Sequence, residues 1–278
     1  FFIIICTEID LDPEIYFSLI SYVIDPQFLS IDSQNDVING IQMLSHIILE
    51  KCQLIDSNLL ANIINFLLSA LSVNEYKSSV YFCFAILAKE CALSQQIILD
   101  HSFYEELMND LSNCICLSEI YYFLRKSIKN SSLIPSDSPT FYTNILSLLY
   151  SISTSHQKVE IEVGIDEDYD NDSIAFSVID QLISTHKNGL LPVIKPYLIF
   201  NSEIPQIREI GIKILNSIII NCKLEEQELL DFLEIIFTHI NDPSFRVKEV
   251  SLWALHAFCY QKVLPLEIVK EFYEKEDL

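Results

Sequence analysis

The sequence predicts an all-α chain, an α-solenoid of about six stacked helical-hairpin repeats. Three observations predict it: glycine is scarce, a short apolar pattern returns about every 40 residues, and the longest uncharged stretches carry polar residues at helical spacing. Each is taken in turn.

Glycine occurs 4 times in 278 residues, at positions 40, 164, 189 and 211. A phosphate-cradling loop needs two or three glycines close together so that the backbone can approach the phosphate, and no such cluster exists. All-β architectures need many turn residues able to hold positive φ, which this composition does not supply. Helix is left as the main element. The charge balance of 17 Lys and Arg against 39 Asp and Glu gives a formal net charge of -22. A phosphate backbone or an anionic bilayer is repelled by that field, so nucleic acid and membrane are not expected partners, whereas a basic protein segment is attracted.

The cysteines at 6, 52, 83, 91, 114, 116, 222 and 259 form no CxxC pair. Cys114 and Cys116 are two residues apart, which puts them on different sides of a helix, so reduced thiols in an intracellular setting are expected rather than a zinc site or a disulfide framework. The opening run Phe1-Phe2-Ile3-Ile4-Ile5-Cys6 has no initiator methionine, no basic flank and no cleavage signal. It reads as the remnant of an earlier helix or strand rather than a signal peptide. Residues 57 to 74 and 138 to 157 resemble membrane spans in composition. Yet Asn58, Asn62, Asn65, Ser69 and Ser72 recur at spacings of 4, 3, 4 and 3, as do Thr140, Asn144, Ser147, Ser151 and Thr154 in rhythm. A polar stripe of this kind belongs on a helix with one wet side.

The repeat is carried by a small residue, an apolar one, a variable one, an apolar one and leucine. It appears at Gly40 to Leu44, Cys83 to Leu87, Gly211 to Leu215 and Ser251 to Leu255, with looser copies at Ile120 to Leu124 and Ala175 to Ile179. The starts are 43, 37, 55, 36 and 40 residues apart, and an insertion accounts for the 55. A small first residue suits a close helix approach, and a leucine four residues on shares its face. Helix pairs are predicted at 36 to 52 with 57 to 72, 76 to 92 with 94 to 113, and 117 to 129 with 139 to 154. Further pairs follow at 173 to 187 with 189 to 200, 204 to 222 with 225 to 240, and 244 to 260 with 265 to 275, after a leading helix at 13 to 24. Prolines 13, 139 and 205 sit at starts, whereas Pro196 falls inside a predicted helix.

The stretch Asp242-Pro243-Ser244-Phe245-Arg246-Val247-Lys248-Glu249-Val250-Ser251-Leu252-Trp253-Ala254-Leu255 resembles the turn and second helix of a HEAT or armadillo repeat. Ala85-Ile86-Leu87-Ala88 with Gln95 to Asp100 is closer to the armadillo type. The resemblance implies a right-handed α-solenoid whose inner face grips extended peptides or protein surfaces. Within armadillo proteins the importin-alpha group reads basic peptides with a Trp-Ala-Leu-x-Asn ladder. Here the tryptophan rung reads Gln42, Ala85, Tyr122, Ser177, Lys213 and Trp253, and the asparagine rung His46, Lys89, Lys126, Gln181, Ser217 and Ala257. No asparagine is present and only one tryptophan, so the ladder departs from that group. The expected partner groove is Gln42, His46, Lys89, Tyr122, Lys126, Gln181, Lys213, Ser217 and Trp253. Tyr122 and Trp253 would be its anchors, and Lys89, Lys126 and Lys213 would select acidic partners as in beta-catenin-like proteins.

The segment 156 to 172 concentrates Glu160, Glu162, Asp166, Glu167, Asp168, Asp170 and Asp172 and is expected to be a disordered acidic insertion. Asp166, Asp168 and Asp170 match the start of a calcium loop, but Asn171 and Ser177 stand where glycine and glutamate are needed. No HExxH or GxSxG element occurs, and a shallow repeat surface offers no converging pocket, so no catalysis, no cofactor, no metal and no small-molecule substrate are expected. The organisation expected is 1 to 35 for a leading helix and truncated repeat, 36 to 155 for armadillo-like repeats one to three, 156 to 172 for the insertion, and 173 to 278 for armadillo/HEAT-like repeats four to six. The function expected is a cytoplasmic, and also nuclear, scaffold or adaptor for proteins or extended peptides. The alternatives are an importin-alpha-like receptor for basic cargo and a structural subunit of a larger complex.

Overall fold

A computed structural model describes residues 12–91, 101–113, 115–129, 139–154 and 171–261. The opening apolar run, nearly all of the acidic insertion and the helix expected at 265 to 275 lie outside these residues. Twelve α-helices follow one another: α1 Pro13–Val23, α2 Gln34–Lys51, α3 Ser57–Ala70, α4 Lys77–Glu90, α5 His101–Ser112, α6 Leu117–Lys129, α7 Pro139–Thr154, α8 Asn171–His186, α9 Leu191–Ile194, α10 Pro205–Asn221, α11 Glu226–Ile240 and α12 Phe245–Gln261. No strand occurs among the described residues.

Local chemistry sets many of the boundaries. Pro13, Pro139 and Pro205 each open a helix, where the missing amide has no partner to lose. The Asp12 carboxylate accepts from Glu14 N at 3.0 Å and that of Asp56 from Leu59 N at 2.8 Å, capping α1 and α3. The helix predicted over 189 to 200 is not one helix. It is four residues of α9 between 3₁₀ turns at Lys187–Gly189 and Lys195–Tyr197. Pro196 is the reason, because it cannot donate to the i−4 carbonyl and its ring collides with that carbonyl.

The chain divides into two compact units, one built on α1–α6 and the other beginning within α7 at Tyr142 and running through α12. All six copies of the repeat pattern fall in the even-numbered helices. In the first unit α2 packs beside α4 and α4 beside α6, and in the second α8 packs beside α10 and α10 beside α12. The odd-numbered helices make no comparable contact with one another among the described residues. The even-numbered helices of each unit therefore form its closely packed layer, the inner layer. Each hairpin runs from an odd helix to the even one after it, as α1–α2, α3–α4, α5–α6 and α11–α12 show, rather than from each even helix onward as the sequence predicted.

The pattern residues build the core. The first positions Cys83, Ile120, Ala175 and Ser251 are fully buried, and Leu44, Leu87, Leu124, Ile179 and Leu215 are at most 2% exposed. The small residue faces its own hairpin, not the neighbouring repeat. A Cβ on Gly40 would meet the Phe28 ring at 2.5 Å, and one on Gly211 would meet the carbonyl oxygen of Ile199 at 2.8 Å. The polar stripe of α3 is exposed at Asn58, Asn62, Asn65, Ser69 and Ser72, and no helix of the described residues is long and apolar enough to cross a membrane.

Two ion pairs join successive hairpins of the second unit, Lys195 to Glu228 at 2.8 Å and Arg208 to Asp242. Arg208 donates from Nε and Nη2 to the two carboxylate oxygens of Asp242, both at 2.8 Å, and from Nη1 to Ser202 O at 2.6 Å. Ser244 N donates to the same carboxylate at 2.8 Å, so the guanidinium on α10 fixes the turn that starts α12. The Arg208 hydrogen bonds hold the Asp242 carboxyl below its ordinary range.

Two outcomes follow. Gly211→Ala should lower the urea midpoint, a net loss of about 1–2 kcal/mol, because the backbone collision outweighs the roughly 1 kcal/mol of helix propensity gained. For the clamp, Asp242 binds its proton less readily in the fold, so its contribution is complete above the unfolded-state value near pH 4 and fades as the pH falls through the lower folded one. Asp242→Asn should cost about 3 kcal/mol at neutral pH, measured by chemical denaturation, and the difference from the parent should shrink as the solution is acidified below about pH 4.

Candidate functional site

The solvent-facing stripe of the even-numbered helices is where the sequence placed its partner groove. On α4 the residues 80 to 88 are buried except Phe82, so this helix reaches solvent along a narrow line of Ser78, Phe82 and Lys89. Phe82 is 41% exposed and stacks on Tyr122 of α6, with ring centroids 6.0 Å apart and planes 13° apart. Lys126, one turn along α6, places Nζ 4.9 Å from the centroid of the Tyr122 ring. The result is a two-ring platform with a cation on one face, carried by two adjacent helices. Ser78 Oγ donates to Glu119 Oε1 at 2.7 Å and ties the same helices together at one end.

What holds this platform is a buried layer beneath it. Phe84 and Phe103 meet at a tilt with centroids 4.8 Å apart, and Phe103 and Phe123 meet edge to face at 5.4 Å. Beside them Lys77, 3% exposed, donates to Asp110 Oδ1 at 2.6 Å and to Glu106. Tyr81 OH donates to Asp110 Oδ2 at 2.7 Å, and both Tyr81 and Asp110 are fully buried. Burial alone would pull the Lys77 ammonium down, but the hydrogen bonds and charges of Asp110 and Glu106 more than reverse this and hold it above the usual lysine range. Burial, followed by the Asp110 hydrogen bond, holds the Tyr81 phenol well above its ordinary value. A charge buried this deeply is tolerated only because every partner is present.

The remaining groove residues sit as follows. Gln42 is exposed and His46 half-buried on α2, while Ala85 is closed off in the core. Lys89 is exposed but paired with Glu90. In the second unit Lys213 pairs with Glu209 at 2.6 Å and lies 5.9 Å from the Phe176 ring centroid. Ser217 is buried and donates to Asp180 Oδ1 at 2.5 Å, forming a strut from α10 to α8. Gln181 turns along its own helix to Thr185 Oγ1 at 3.2 Å. Trp253 is 64% exposed on α12 in a run with Leu252, His256 and Tyr260, the last two rings stacking 6.3 Å apart. Phe82 was not on the predicted list. Every residue from Val80 to Ala88 is apolar, so periodicity had no polar marker to show which of Tyr81, Phe82 and Phe84 faces out.

No protein-family model matches the chain, and no curated protein matches it in sequence. Solved structures do match in fold. Importin beta in a polyethylene glycol condition superposes with a TM-score of 0.72 at 10% identity, over 92% of this chain and 34% of that one. The Kap95:Nup1 complex gives 0.71 at 13% identity, over 90% and 32%. Kap121p bound to Pho4p gives 0.50 at 15% identity, over 92% and 30%. This chain thus spans about a third of the length of these proteins. The fold is an armadillo/HEAT-type α-solenoid of about six repeats.

Removing the buried cation tests the support under the platform. Lys77→Met should cost about 3–5 kcal/mol in the denaturation midpoint by stranding Asp110, and Lys77→Met with Asp110→Leu should recover a large part of it.

Proposed function

We propose that this chain is a non-enzymatic protein-binding scaffold that holds an extended peptide or a protein surface along the exposed stripe of its even-numbered helices. The observation that carries the reading is the Phe82–Tyr122 platform with Lys126 over it, an exposed ring stacked on a half-buried one along the even-numbered layer of a helical-repeat stack. Aromatic side chains held rigid by neighbours present large contact area at little entropic cost, which is the usual composition of an energetic hot spot. Trp253 offers a second anchor in the other unit. Gln42, His46 and Lys89 line the stripe of the first unit and Gln181 that of the second, and they supply hydrogen bonds. Lys213 and Ser217, from the same predicted groove, also make contacts inside the stack, to Glu209 and Asp180. Charge selection rests on Lys89, Lys126 and Lys213, of which Lys89 and Lys213 also pair with Glu90 and Glu209. A cytoplasmic and nuclear location and the absence of cofactor, nucleic acid and membrane from the function belong to the same reading.

A second reading is favoured by two observations. The structural neighbours include Kap121p bound to Pho4p, and the net charge of -22 gives the chain a long-range attraction for basic cargo. Carriage of a basic protein would then use the acidic outside of the molecule and leave the aromatic platform idle.

Affinity capture from cell extract with quantitative mass spectrometry separates these readings. Phe82→Ala with Tyr122→Ala should reduce recovery of the principal partners by about tenfold or more, while recovery should depend only weakly on salt. Unchanged recovery with these variants, together with loss of binding at high salt, would favour cargo held by charge.

A further inference from the structure

The first unit contains a pair of thiols that the binding surface does not use. α2 and α4 run side by side in the same direction, so their C-terminal ends are neighbours. Cys52 opens the 3₁₀ turn that follows α2, and Cys91 caps the end of α4. Their side chains are in hydrogen-bonding contact, and Cys52 Sγ also lies 3.6 Å from Glu90 O, the last carbonyl of α4. The two thiols come from different hairpins, 38 residues apart in sequence from Cys52 to Glu90, yet meet at one point.

From this juxtaposition we infer that Cys52 and Cys91 form an oxidisable dithiol, a modification site at which hydrogen peroxide converts the contact between α2 and α4 into a disulfide. The two thiols have distinct parts. Cys52 is half-exposed and is the one an oxidant reaches. Cys91 is buried beside it, out of reach of a dissolved oxidant, and so acts second, as the resolving thiol. The first step takes Cys52–SH and H₂O₂ to Cys52–SOH and water. In the second, the Cys91 sulfur attacks the Cys52 sulfur, hydroxide leaves and takes the Cys91 proton as water, and the S–S bond forms. Two thiols thus supply the two electrons that reduce one peroxide to two waters.

The neighbouring cysteine is not an equal competitor. Cys83 is fully buried and its thiol hydrogen-bonds to Ser45, and burial pushes it up to about 12. A Cys52–Cys91 bond would staple the ends of two adjacent inner-layer helices, one of which carries His46 and the other Lys89. It would fix the spacing of the exposed stripe at that end whether or not the stripe binds a partner.

The test is peroxide treatment of the full chain, alkylation of remaining thiols, and peptide mapping without reductant. One linked pair joining the Cys52 and Cys91 peptides is expected, lighter than the sum of its parts by about 2 Da, in about tenfold excess over any link to Cys83, Cys116 or Cys259. Cys91→Ala should leave a sulfenic acid at Cys52 that a dimedone probe captures, and Cys52→Ala should leave Cys91 reduced. The map of the parent chain decides the matter even where a variant folds poorly. Recovery of both residues alkylated after exposed Cys259 has been consumed, or linkage of either to another cysteine, would overturn the assignment.

Discussion

Side-by-side packing of the even-numbered helices is the contact on which the rest of the molecule depends. It is possible because these helices bury a full face: a small or apolar residue at the first pattern position and, in all but α12, a leucine or isoleucine four residues later. At Gly211 the approach is to backbone, so no side-chain movement can relieve an added methyl group. Once the inner layer is closed in this way, little of it remains in contact with water. On α4 the wet line is so narrow that the exposure of one aromatic ring becomes a conspicuous feature. The platform of Phe82 and Tyr122 is therefore a consequence of how tightly α4 and α6 are drawn together.

Electrostatics enters mainly as a means of holding this arrangement. The chain has more than two acids for every base, yet several of its cations are turned inward. Lys77 neutralises Asp110 under the platform, Arg208 grips the turn at Asp242, and Lys213 lies against Glu209. Each pair joins parts of the stack or steadies one helix of it. The excess of acid on the remainder leaves a strongly negative field, which by its sign attracts basic groups.

Much of this was legible in the sequence. The 40-residue return of the small-apolar-leucine pattern identified all six inner helices, and predicted ends such as 117 to 129 and 139 to 154 coincide with α6 and α7. What it did not reveal was tertiary in origin. The phase of the hairpins depends on which neighbour a helix packs against, and both phases fit the same period. Pro196 marked a weak helix, but whether it would kink or divide it depends on the turns around it. The carboxylates that pair with Lys89 and Lys213 are ordinary surface residues in sequence, so the ladder gave no sign of these pairs. Phe82 was hidden within an unbroken apolar run.

The proposed reading, a molecule that holds a partner, puts its working face on the even-numbered layer. Photo-cross-linking tests that most directly. Benzoylphenylalanine placed at Phe82 on the inner stripe, and separately at Asn65 on the exposed stripe of α3, would be irradiated in cell extract and the adducts identified. The account predicts specific protein adducts from position 82 and none of the same species from position 65. Adducts confined to position 65 would contradict it.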